Sequence, residues 1–443
     1  MLHLYDTALG RVAPLDLRRD GQVSMYVCGA TVYAEPHVGH GRFALIWDIV
    51  RRYLTWTGLE VSFVSNVTDI DDKIIARAAA EGRSAREVAE DYEGVWWEAM
   101  AGIGVARPDH VPHATAYIEG MVALIGRLVD SGHAYVGGDG VYFAAESVPG
   151  YGLLARQPLE SLRVGARVDV SAQAAKRAPV DFALWKLAKP GEPSWDSPWG
   201  AGRPGWHTEC VVMALDLLGD DFDVHGGGAD LAFPHHENER AQAVADGRRF
   251  ARRWVHSGMV ESSGGEKMSK SLGNTLSLPE LVAAHDPRSL RLLVLQSSYR
   301  APMTITEDNL AQADAALRRL DGFARQFPAG AAAPDAAVVQ RFRRAMDEDL
   351  DTPQATALLF DSVAGARRGQ PGAAAAVWEM ARAVGLDLRG EDGVVPDAVA
   401  AKAAQRDEAR RRRDWATADR LRHELAAAGW IVEDTPEGTS VRR

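Results

Sequence analysis

The chain has 443 residues, of which 46% are apolar and 25% are charged, and it contains only 2 cysteines. This length is enough for roughly two to four domains of about 100–200 residues, and the apolar fraction excludes a mainly disordered protein. No apolar run approaches the roughly 18 residues of a membrane span, and the first residues lack the basic and apolar blocks of a secretory signal. We therefore expect no membrane partner. Because two cysteines cannot form a disulfide framework, we also expect a reducing, cytoplasmic setting.

The net charge of −11 is unevenly distributed along the chain. Residues 401–443 hold 10 Lys/Arg and 8 Asp/Glu, a balance of +2 that leaves −13 for the remainder. An acidic body argues against a protein that wraps nucleic acid indiscriminately, and we expect no DNA partner. The mildly basic tail is compatible with a local RNA contact, although charge alone favours an ordinary solvated helix.

The first 75 residues predict a β-α-β unit. Residues 23–28 form a short apolar run typical of a strand, an apolar stripe at helical spacing covers residues 41–57, and residues 61–65 form the next strand. This order implies parallel strands joined by a right-handed crossover, the start of a Rossmann-like, doubly wound α/β domain. Ligands bind such sheets at the carboxyl ends of the strands, where Cys28 falls.

The pattern changes after about residue 110, where an inserted subdomain is predicted. An amphipathic helix ends near Gly132, and a hairpin joins residues 134–136 to residues 141–143 across a glycine-rich turn. Residues 150–205 are rich in Pro, Gly and Trp, which is typical of long ordered loops.

The second half of the chain predicts a return to the α/β pattern and then a mainly helical region. The elements are, in order, an α/β unit resuming at Trp206, a strand over 222–225, a helix opened by Pro234, helices started by Thr306 and by Thr352-Pro353, a linker over 387–400, a basic helix with Trp415 stopped by Gly429, and a strand over 430–432. We therefore predict five segments: 1–110 and 205–303 as the two halves of the α/β domain, 111–204 as the insertion, 304–386 as an α-helical bundle, and 387–443 as a linker and small α/β module.

Two short motifs are suited to phosphate chemistry. His37-Val38-Gly39-His40 lies between the first strand and its helix, where imidazoles can donate hydrogen bonds to phosphate oxygens and the helix dipole adds positive potential. Lys267-Met268-Ser269-Lys270-Ser271 follows glycines, and its two lysines can clamp a polyphosphate when a loop closes. Taken singly, the first motif is more often a surface turn, and the second is as often a solvated basic loop.

Together, the two motifs resemble the paired signature of the class I aminoacyl-tRNA synthetases, in the expected order and about 230 residues apart. The resemblance implies that ATP binds at the first crossover and that a carboxylate attacks its α-phosphate. It implies that His37 and His40, with Gly39 between them, stabilise the transition state, while Lys267 and Lys270 draw charge onto the leaving pyrophosphate. Met268 and Ser269 would belong to the same nucleotide site.

A metal site can be built from the two cysteines and one helix. His235 and Glu239 stand at i and i+4 on the helix opened by Pro234, a spacing that can present an imidazole and a carboxylate to one ion. Cys28 ends the first strand, and if the sheet brings it and Cys210 to that helix, a Cys₂-His-Glu zinc site results. From spacing alone, two buried inert thiols are favoured, and a disulfide between them is a third alternative.

Longer segments resemble the cysteinyl-tRNA synthetase family over nearly the whole chain. The matching segments are 26–29 (YVCG), 66–73 (NVTDIDDK), 205–210 (GWHTEC), 225–230 (HGGGAD), 233–239 (FPHHENE), 349–353 (DLDTP) and 414–419 (DWATAD). In that family the zinc ligands fall on the positions of Cys28, Cys210, His235 and Glu239. This chain departs from the family by His-Val-Gly-His in place of His-Ile-Gly-His, which keeps both imidazoles, and by Ala229 where many members have Ser, which puts in doubt only a contact from the missing hydroxyl.

This resemblance implies an enzyme that activates cysteine with ATP and Mg²⁺ and transfers it, through cysteinyl-adenylate, to the 3′-terminal adenosine of tRNA(Cys). Cysteine and serine differ by one atom, and one Zn²⁺ per chain would read the sulfur because it binds a thiolate far better than a hydroxyl. The residues expected near cysteine are Gly29, Thr31, Thr68, Trp206 and His225, and those expected at the nucleotide site are Gly228 and Asp230. For Trp206 and His225, a core aromatic and a buried histidine with satisfied hydrogen bonds are equally good interpretations. Asp230 could hold either the cysteine ammonium or the ribose hydroxyls.

The same resemblance implies how tRNA is bound. The bundle would support the tRNA stem and the tail would reach the anticodon, with Arg420, Arg422 and Trp430 as candidate contacts, and we expect a monomer. One alternative is a cysteine ligase that acts on an amino sugar, of the mycothiol ligase type, which generally lacks the C-terminal module. The other is a catalytically inactive RNA-binding paralogue, against which the intact motifs argue.

Overall fold

The structure is a computed structural model that describes residues 1–156, 176–261, 276–389, 397–427, 430–435 and 438–442. The strands are β1 (His3–Asp6), β2 (Arg11–Pro14), β3 (Gln22–Thr31), β4 (Glu60–Thr68), β5 (Ala134–Val136), β6 (Gly140–Phe143), β7 (Phe182–Leu187), β8 (Gly202–Pro204), β9 (Phe222–Gly228), β10 (Ala251–Ser257), β11 (Val260–Glu261), β12 (Met303–Thr304), β13 (Ile431–Thr435) and β14 (Gly438–Arg442). The helices are α1 (Val38–Trp56), α2 (Asp72–Glu81), α3 (Ala85–Gly102), α4 (Ile118–Asp130), α5 (Trp206–Leu218), α6 (Glu237–Ala245), α7 (Leu278–Ala284), α8 (Ser289–Leu295), α9 (Glu307–Gln326), α10 (Ala336–Asp347), α11 (Thr352–Arg367), α12 (Ala373–Ala383), α13 (Asp397–Arg411) and α14 (Trp415–Ala427).

The predicted Rossmann-like parallel sheet is confirmed. β10, β9, β3 and β4 lie side by side in that order, and each neighbouring pair is parallel. Helix α1 crosses from β3 to β4, as the β-α-β pattern predicts. All four strands therefore end at the same edge of the sheet, and Cys28 lies near the end of β3.

Three strands of this sheet and helix α1 extend beyond their predicted limits. Strand β3 covers Gln22–Thr31 instead of 23–28, and β4 covers Glu60–Thr68 instead of 61–65. Helix α1 starts at Val38 instead of residue 41, because the His37 side chain caps it by accepting a hydrogen bond from the Gly39 N–H. Strand β9 runs to Gly228 instead of ending at His225, because its parallel pairing with β10 continues as far as Ser257.

The prediction that Pro234 opens a regular helix is wrong. Residues Ala232–His236 form a separate wide turn in which Phe233 is extended (φ −142°, ψ 133°), and α6 begins only at Glu237. His235 therefore precedes the helix that carries Glu239. The two side chains still meet, since His235 Nε2 lies 2.8 Å from Glu239 Oε1.

Between β4 and α5 the chain forms a separate antiparallel sheet, in the region predicted to be an inserted subdomain. Its strand order is β5-β6-β7-β8, and the predicted hairpin between residues 134–136 and 141–143 is present with β6 starting at Gly140. The buried side chains of this sheet and of α4 share one apolar core with Cys28 and Cys210. The insertion therefore packs directly against the part of the sheet that carries both cysteines.

A helical bundle follows β12, as predicted, and it is built from α9, α10, α11 and α12. Thr306 caps α9 through a reciprocal pair of hydrogen bonds with Asn309, and α11 begins at Thr352 after Asp351 caps it. The bundle shares one large apolar core with α1 and β3. In addition, the Tyr53 hydroxyl of α1 donates to Asp347 Oδ1 at 2.8 Å, so the bundle is attached to the helix that follows His37.

The C-terminal region differs from its prediction in two respects. The predicted linker over 387–400 ends early, because α13 begins at Asp397, directly after Pro396 and ahead of an alanine-rich run that favours helix. The predicted basic helix and single short strand are in fact two helices, α13 and α14, followed by the β13–β14 hairpin. Gly429, the predicted stop, lies outside the described residues, and α14 ends at Ala427.

Candidate metal centre and active site

The four metal ligands expected from the sequence come together at the carboxyl edge of the parallel sheet. Cys28 comes from β3, Cys210 from α5, His235 from the turn before α6, and Glu239 from the first turn of α6. All four side chains are buried, and their candidate ligand atoms lie within 4.8 Å of one another. The cysteines are free thiols with their Sγ atoms 3.6 Å apart, so they form no disulfide.

The donor atoms fit a tetrahedral zinc ion. Bonds of about 2.0–2.3 Å place tetrahedral ligand atoms roughly 3.3–3.8 Å apart. The Cys28 Sγ–Glu239 Oε1 distance is 3.5 Å and the Cys210 Sγ–His235 Nε2 distance is 3.7 Å, in that range together with the 3.6 Å between the two sulfurs. The His235–Glu239 contact of 2.8 Å is shorter and is a hydrogen bond in this structure. Two thiols, an imidazole and a carboxylate form a donor set that suits zinc.

Mutual contacts shift the pKa values of these ligands in opposite directions. Burial raises the pKa of the Cys28 thiol well above its ordinary value, and the adjacent Cys210 and Glu239 raise it further. Burial would also raise the pKa of Cys210, but hydrogen bonds with Cys28 and His235 bring it down to about 6. Burial opposes the charge on His235, yet Glu239 and Cys210 raise its pKa to about 10. The imidazoles of His225 and His235 outweigh burial at Glu239 and hold its pKa well below the usual range.

One histidine fixes the orientation of the candidate ligand His235. His207 Nδ1 lies 2.9 Å from His235 Nδ1, and burial together with the nearby His235 holds the pKa of His207 well below its ordinary value. Nδ1 of a neutral His207 can therefore accept a hydrogen bond from the Nδ1–H of His235, which leaves Nε2 of His235 for a metal. Trp206 stacks on the other face of the His235 ring, with ring centres 4.0 Å apart, and is 38% exposed.

A second group of histidines lies behind the cysteines. His236 Nε2 approaches Cys28 Sγ at 3.3 Å, its Nδ1 lies 2.8 Å from His256 Nε2, and His256 Nδ1 lies 2.6 Å from the Thr7 hydroxyl. Burial holds the pKa of His236 well below its ordinary value and lowers that of His256 to about 3, so both rings are neutral. Cys28, His225, His236 and Glu239 form a second group of donors close enough for a metal. This second group contains one cysteine sulfur, whereas the group with Cys210 contains two.

The sequence interpretation missed His207, His236 and His256. The run of glycines that contains Gly227 was a sequence signal for a side chain packed closely against β9. In the structure that side chain is His236, since a Cβ at Gly227 would lie 2.4 Å from Cε1 of its ring. The glycine there permits the close approach of the imidazole. His207 and His256 carry no comparable signal, since each is a single histidine whose partners are distant in the chain.

The residues expected to contact cysteine have different surroundings. Thr68 is buried and its hydroxyl donates to Glu209 Oε2 at 2.9 Å, and burial raises the pKa of Glu209 well above its usual range. His225 is fully buried behind the candidate metal site, with Nε2 2.5 Å from Glu239 Oε2 and Nδ1 3.1 Å from the Tyr26 carbonyl oxygen. Both ring nitrogens of His225 therefore face oxygen acceptors.

Gly29 and Thr31 lie at the end of β3, beside Cys28. The Gly29 N–H donates to Asn66 Oδ1 at 2.8 Å, and a Cβ at Gly29 would lie 1.6 Å from the Asn66 carbonyl oxygen. The pairing of β3 with β4 shifts register between Val27 and Ala30, so that Cys28 and Gly29 together oppose Asn66. This bulge turns the end of β3 at the residue that carries the first thiol. Thr31 is half-buried.

The His37–His40 motif forms the N-terminus of α1. His37 Nδ1 accepts from the Gly39 N–H and His40 Nδ1 accepts from the His37 N–H, both at 3.1 Å. With Nδ1 used as an acceptor, each neutral ring carries its proton on Nε2. The rings stack with centres 3.8 Å apart, and Trp96 packs edge-on against His40 at 5.4 Å. The turn thus holds two Nε2–H donors at the positive end of a 19-residue helix.

The other nucleotide-site residues are described only in part. Gly228 ends β9, and a Cβ there would lie 2.6 Å from Asp230 Oδ1, so the exposed Asp230 folds back against the glycine. Lys267, Met268, Ser269 and Lys270 lie outside the described residues.

The C-terminal module separates its aromatic and basic residues. Trp430 is 7% exposed in the module core with Ala403, Leu425 and Val441, so its ring is not presented to a base. Arg420 and Arg422 are exposed, and Arg420 pairs with Glu424 at 2.6 Å. Trp415, which the sequence interpretation did not select as a contact, is 59% exposed at the start of α14.

None of the helices in the described part of the chain is long and apolar enough to span a bilayer.

The chain matches three family profiles. The one described as "tRNA synthetases class I (C) catalytic domain" covers residues 14–315. A DALR domain covers residues 341–376, and "Cysteinyl-tRNA ligase anticodon binding domain" covers residues 394–442.

Curated relatives and solved structures agree with these profiles. The chain is 46% identical to a cysteine–tRNA ligase of Halorhodospira halophila and 47% identical to one of Alkalilimnicola ehrlichii, with all of each chain covered in both cases. It is 42% identical to a cysteine–tRNA ligase of Streptomyces coelicolor, covering 99% of this chain and 74% of the relative. Its fold resembles Mycobacterium tuberculosis methionyl-tRNA synthetase in complex with methionyl-adenylate (TM-score 0.60, 14% identity, 82% and 90% of the two chains covered). It also resembles an Agrobacterium radiobacter leucyl-tRNA synthetase complex (TM-score 0.60, 10% identity, 83% of each chain covered). The parallel sheet, the helical bundle and full-length identity above 40% together show that the chain belongs to the cysteine–tRNA ligase family of class I aminoacyl-tRNA synthetases.

Proposed function

We propose that this protein joins cysteine to the 3′-terminal adenosine of tRNA(Cys), using ATP with Mg²⁺ and one zinc ion. The observation that carries the proposal is the meeting of both cysteines of the chain with His235 and Glu239 at the carboxyl edge of the sheet. The strand that supplies Cys28 leads directly to the His37–His40 turn. The proposed metal site and the proposed phosphate-binding turn are therefore close in the chain, because β3 carries Cys28 and the turn follows β3.

In this proposal Cys28, Cys210, His235 and Glu239 hold the zinc. The chemistry it supplies when bound is a strong preference for thiolate sulfur over hydroxyl oxygen, which shape alone cannot provide between cysteine and serine. Around it, Trp206 closes one wall by stacking on His235, and Thr68 with Gly29 and Thr31 forms the floor at the strand ends. His225 acts from behind by holding the second oxygen of Glu239.

Activation needs no protein nucleophile. The carboxylate of cysteine attacks the α-phosphate of ATP, the bond to the β-phosphate breaks, and pyrophosphate leaves as cysteinyl-adenylate forms. His37 and His40 donate from Nε2–H to the phosphate oxygens as negative charge develops, and the capping hydrogen bonds keep both donors in place. We assign Gly228 and Asp230 to the adenosine side, Lys267 and Lys270 to the leaving pyrophosphate, and Met268 and Ser269 to the same nucleotide site.

The tRNA would lie along the bundle and reach the C-terminal module. Two clefts flank α11, one of about 300 Å³ with Arg341 and Arg344 in its lining and one of about 280 Å³ with Arg319 and Arg367. Arginines in such positions suit phosphate oxygens. In the module the exposed Trp415 is a better stacking platform than Trp430, which is buried.

The division of labour follows the predicted segments. We propose that residues 1–110 and 205–303 perform activation, 111–204 support the metal site, 304–386 hold the tRNA stem, and 387–443 read the anticodon. We propose that the enzyme acts in the cytosol, as the low cysteine content of the chain suggests, and that it acts as a monomer.

Exchange of labelled pyrophosphate into ATP tests this function. Exchange should depend on cysteine and should be lost when serine replaces it. Its absence with cysteine would leave only an RNA-binding role for the chain.

The acceptor is tested separately. Charging of tRNA(Cys) with labelled cysteine, compared with transfer to an amino sugar, distinguishes tRNA ligation from mycothiol-type ligation. Transfer to the sugar alone would overturn the tRNA assignment.

A further inference from the structure

Arg42 is a buried cation two residues beyond the His37–His40 motif. It belongs to α1 and is 1% exposed. Its guanidinium donates four hydrogen bonds, all to backbone carbonyl oxygens. These run from Nη1 to Gly258 (2.9 Å) and Met259 (2.8 Å), and from Nη2 to Ser298 (3.3 Å) and Ala301 (2.6 Å). One side chain therefore ties α1 to two separate segments of the chain.

Among the described residues, no carboxylate pairs with the buried guanidinium of Arg42. Burial alone lowers its pKa to about 10, so the guanidinium stays charged at neutral pH and is balanced by carbonyl dipoles. Among the described residues, its buried Nε atom has no hydrogen-bond partner. An uncompensated buried cation is a costly way to stabilise a core, because apolar side chains of similar volume do so without desolvating a charge. This cost points to a role other than stability.

The segment held by Arg42 lies between two parts of the nucleotide site. We call residues 258–260 the crosspiece. On one side, Val260 Cβ is 3.9 Å from the position that a Cβ on Gly39 would take, and on the other, Met259 Sδ is 3.6 Å from the corresponding position on Gly228. The crosspiece thus lies beside both the His37–His40 turn and the end of β9.

The crosspiece is also pressed against the chain behind it. The Gly258 N–H donates to the Tyr299 carbonyl oxygen at 2.8 Å, and a Cβ at Gly258 would lie 2.2 Å from the Ala301 carbonyl oxygen. Ala301 is itself bound by Arg42. The guanidinium, the crosspiece and residues 298–301 therefore form one tightly packed unit.

We propose that Arg42 is a positioning residue for ATP, which fixes the crosspiece on α1 and so sets the spacing between the His37–His40 turn and Gly228. The proposal rests on the proposed function in one respect, that ATP spans these two features. A planar guanidinium can reach four carbonyls in two directions, whereas an ammonium cannot. Small errors in this spacing misplace the α-phosphate relative to its donors, which lowers the rate steeply.

The proposal is tested by measuring pyrophosphate exchange with the variant Arg42→Lys. Arg42→Met is the more severe change. We expect Arg42→Lys to raise the KM for ATP by about tenfold and to lower kcat, since at least one pair of carbonyls loses its donor. The KM for cysteine and the zinc content should stay at wild-type values, because the hydrogen bonds of the four candidate ligands in the described part of the chain do not involve the crosspiece. A purely structural role would lower the melting temperature without this split between the two KM values.

Arg291→Lys is the matched control. Arg291 is as deeply buried, but it pairs with Asp48 and donates to the carbonyls of Gly104 and Val384, away from the crosspiece. We expect it to lose stability with an unchanged KM for ATP. An unchanged KM for ATP in Arg42→Lys, or an equal rise in Arg291→Lys, would overturn the proposal.

Calorimetric titration with an ATP analogue that has a methylene bridge between the α and β phosphorus atoms separates this proposal from the proposed function. About tenfold weaker binding to Arg42→Lys than to wild type supports the positioning role even if wild type shows no cysteine-dependent exchange, in which case only the proposed function fails. Equal binding by the two proteins overturns the positioning role, and no binding by wild type overturns both. If Arg42→Met does not fold, the lysine variant decides.

Discussion

The four candidate ligands differ in how many protons a metal must displace from them. Near neutral pH, Glu239 is a carboxylate and Cys210, with its pKa lowered to about 6, is mostly a thiolate. Cys28 keeps its proton because burial and its anionic neighbours raise its pKa, and His235 keeps its second proton because its pKa is raised to about 10. Half of the donor set is therefore ready to bind a cation without deprotonation.

These protonation states predict how zinc affinity depends on pH. Binding displaces one proton from Cys28 and one from His235, so the association constant should rise by about a hundredfold per pH unit between about pH 6 and pH 10. Below about pH 6, Cys210 is protonated as well, and the dependence should steepen. Competition with a chelator of known affinity, at several pH values in this window, measures the slope. A slope near zero would contradict the assignment of these ligands.

Replacing one thiol should remove both the metal and the preference for cysteine. We expect Cys210→Ser to lower zinc affinity by at least about a hundredfold, because a neutral hydroxyl is a poor zinc ligand. Serine should then be activated nearly as well as cysteine in pyrophosphate exchange, since shape alone separates them only weakly. Thr208→Val is the matched control, because Thr208 is buried on the same helix and its hydroxyl has no hydrogen-bond partner in the part of the chain that the structure describes. Unchanged zinc content in Cys210→Ser would rule out the ligand role.

At the scale of elements, the end of β3 decides where the first thiol points. The bulge opposite Asn66 exists because Gly29 has no side chain, and the strands approach so closely there that no Cβ fits. The same principle operates on β9, where Gly226 makes room for the Trp47 ring and Gly227 for the His236 ring. The glycines around the metal candidates are therefore packing requirements of the side chains that surround the site.

Gly29→Ala should disturb this edge of the sheet. The added methyl group would collide with the Asn66 carbonyl and force β3 away from β4, at a cost of about 1–3 kcal/mol in the free energy of unfolding. Zinc content should fall with it, since Cys28 is the adjacent residue. Gly94→Ala in α3, where nothing lies within 4 Å of the new methyl group, should instead be neutral or stabilising. Chemical denaturation with zinc analysis compares the two, and equal effects would contradict the steric argument.

Sequence periodicity was sufficient for the existence and order of the elements that bury one continuous face, such as α1 and the parallel strands β3 and β4, but not for their limits. It failed where a side chain or a tertiary contact sets the boundary. Helix α1 starts early because His37 caps it, and the start of α6 is delayed by the turn that contains Phe233 and Pro234. Neither hydrogen bonding by an imidazole at a cap nor a wide turn leaves a periodic signal.

At the scale of the whole molecule, the candidate metal site joins segments more than 180 residues apart, as the contact of Cys28 with Cys210 illustrates. Residue types at unrelated spacings cannot establish such convergence. The residues alone therefore allowed a shared ion but favoured two inert thiols, and only the family resemblance favoured the ion. The supporting histidines were missed for the same reason. His207 and His256 act only through partners that the fold brings to them.

The charge of the molecule is also organised over long distances. An overall net charge of −11 coexists with a tail of +2 and with two clefts beside α11 that each include two arginines in their lining. A nucleic acid bound along these arginines and the basic tail would contact the bundle with one part and the C-terminal module with another. The step that uses tRNA should therefore depend on surfaces that the activation of cysteine does not involve.

Trp415 tests this separation of the two steps. It is 59% exposed at the start of α14, and stacking of one base on such a ring contributes about 1–3 kcal/mol. We expect Trp415→Ala to raise the KM for tRNA by roughly ten- to a hundredfold in the charging reaction, while cysteine-dependent pyrophosphate exchange stays at the wild-type rate. Trp415→Phe should recover most of the loss, because a phenyl ring still offers a stacking face. A wild-type KM for tRNA in the alanine variant would show that the module binds without this ring, and a parallel loss of exchange would show that the two steps are not separate.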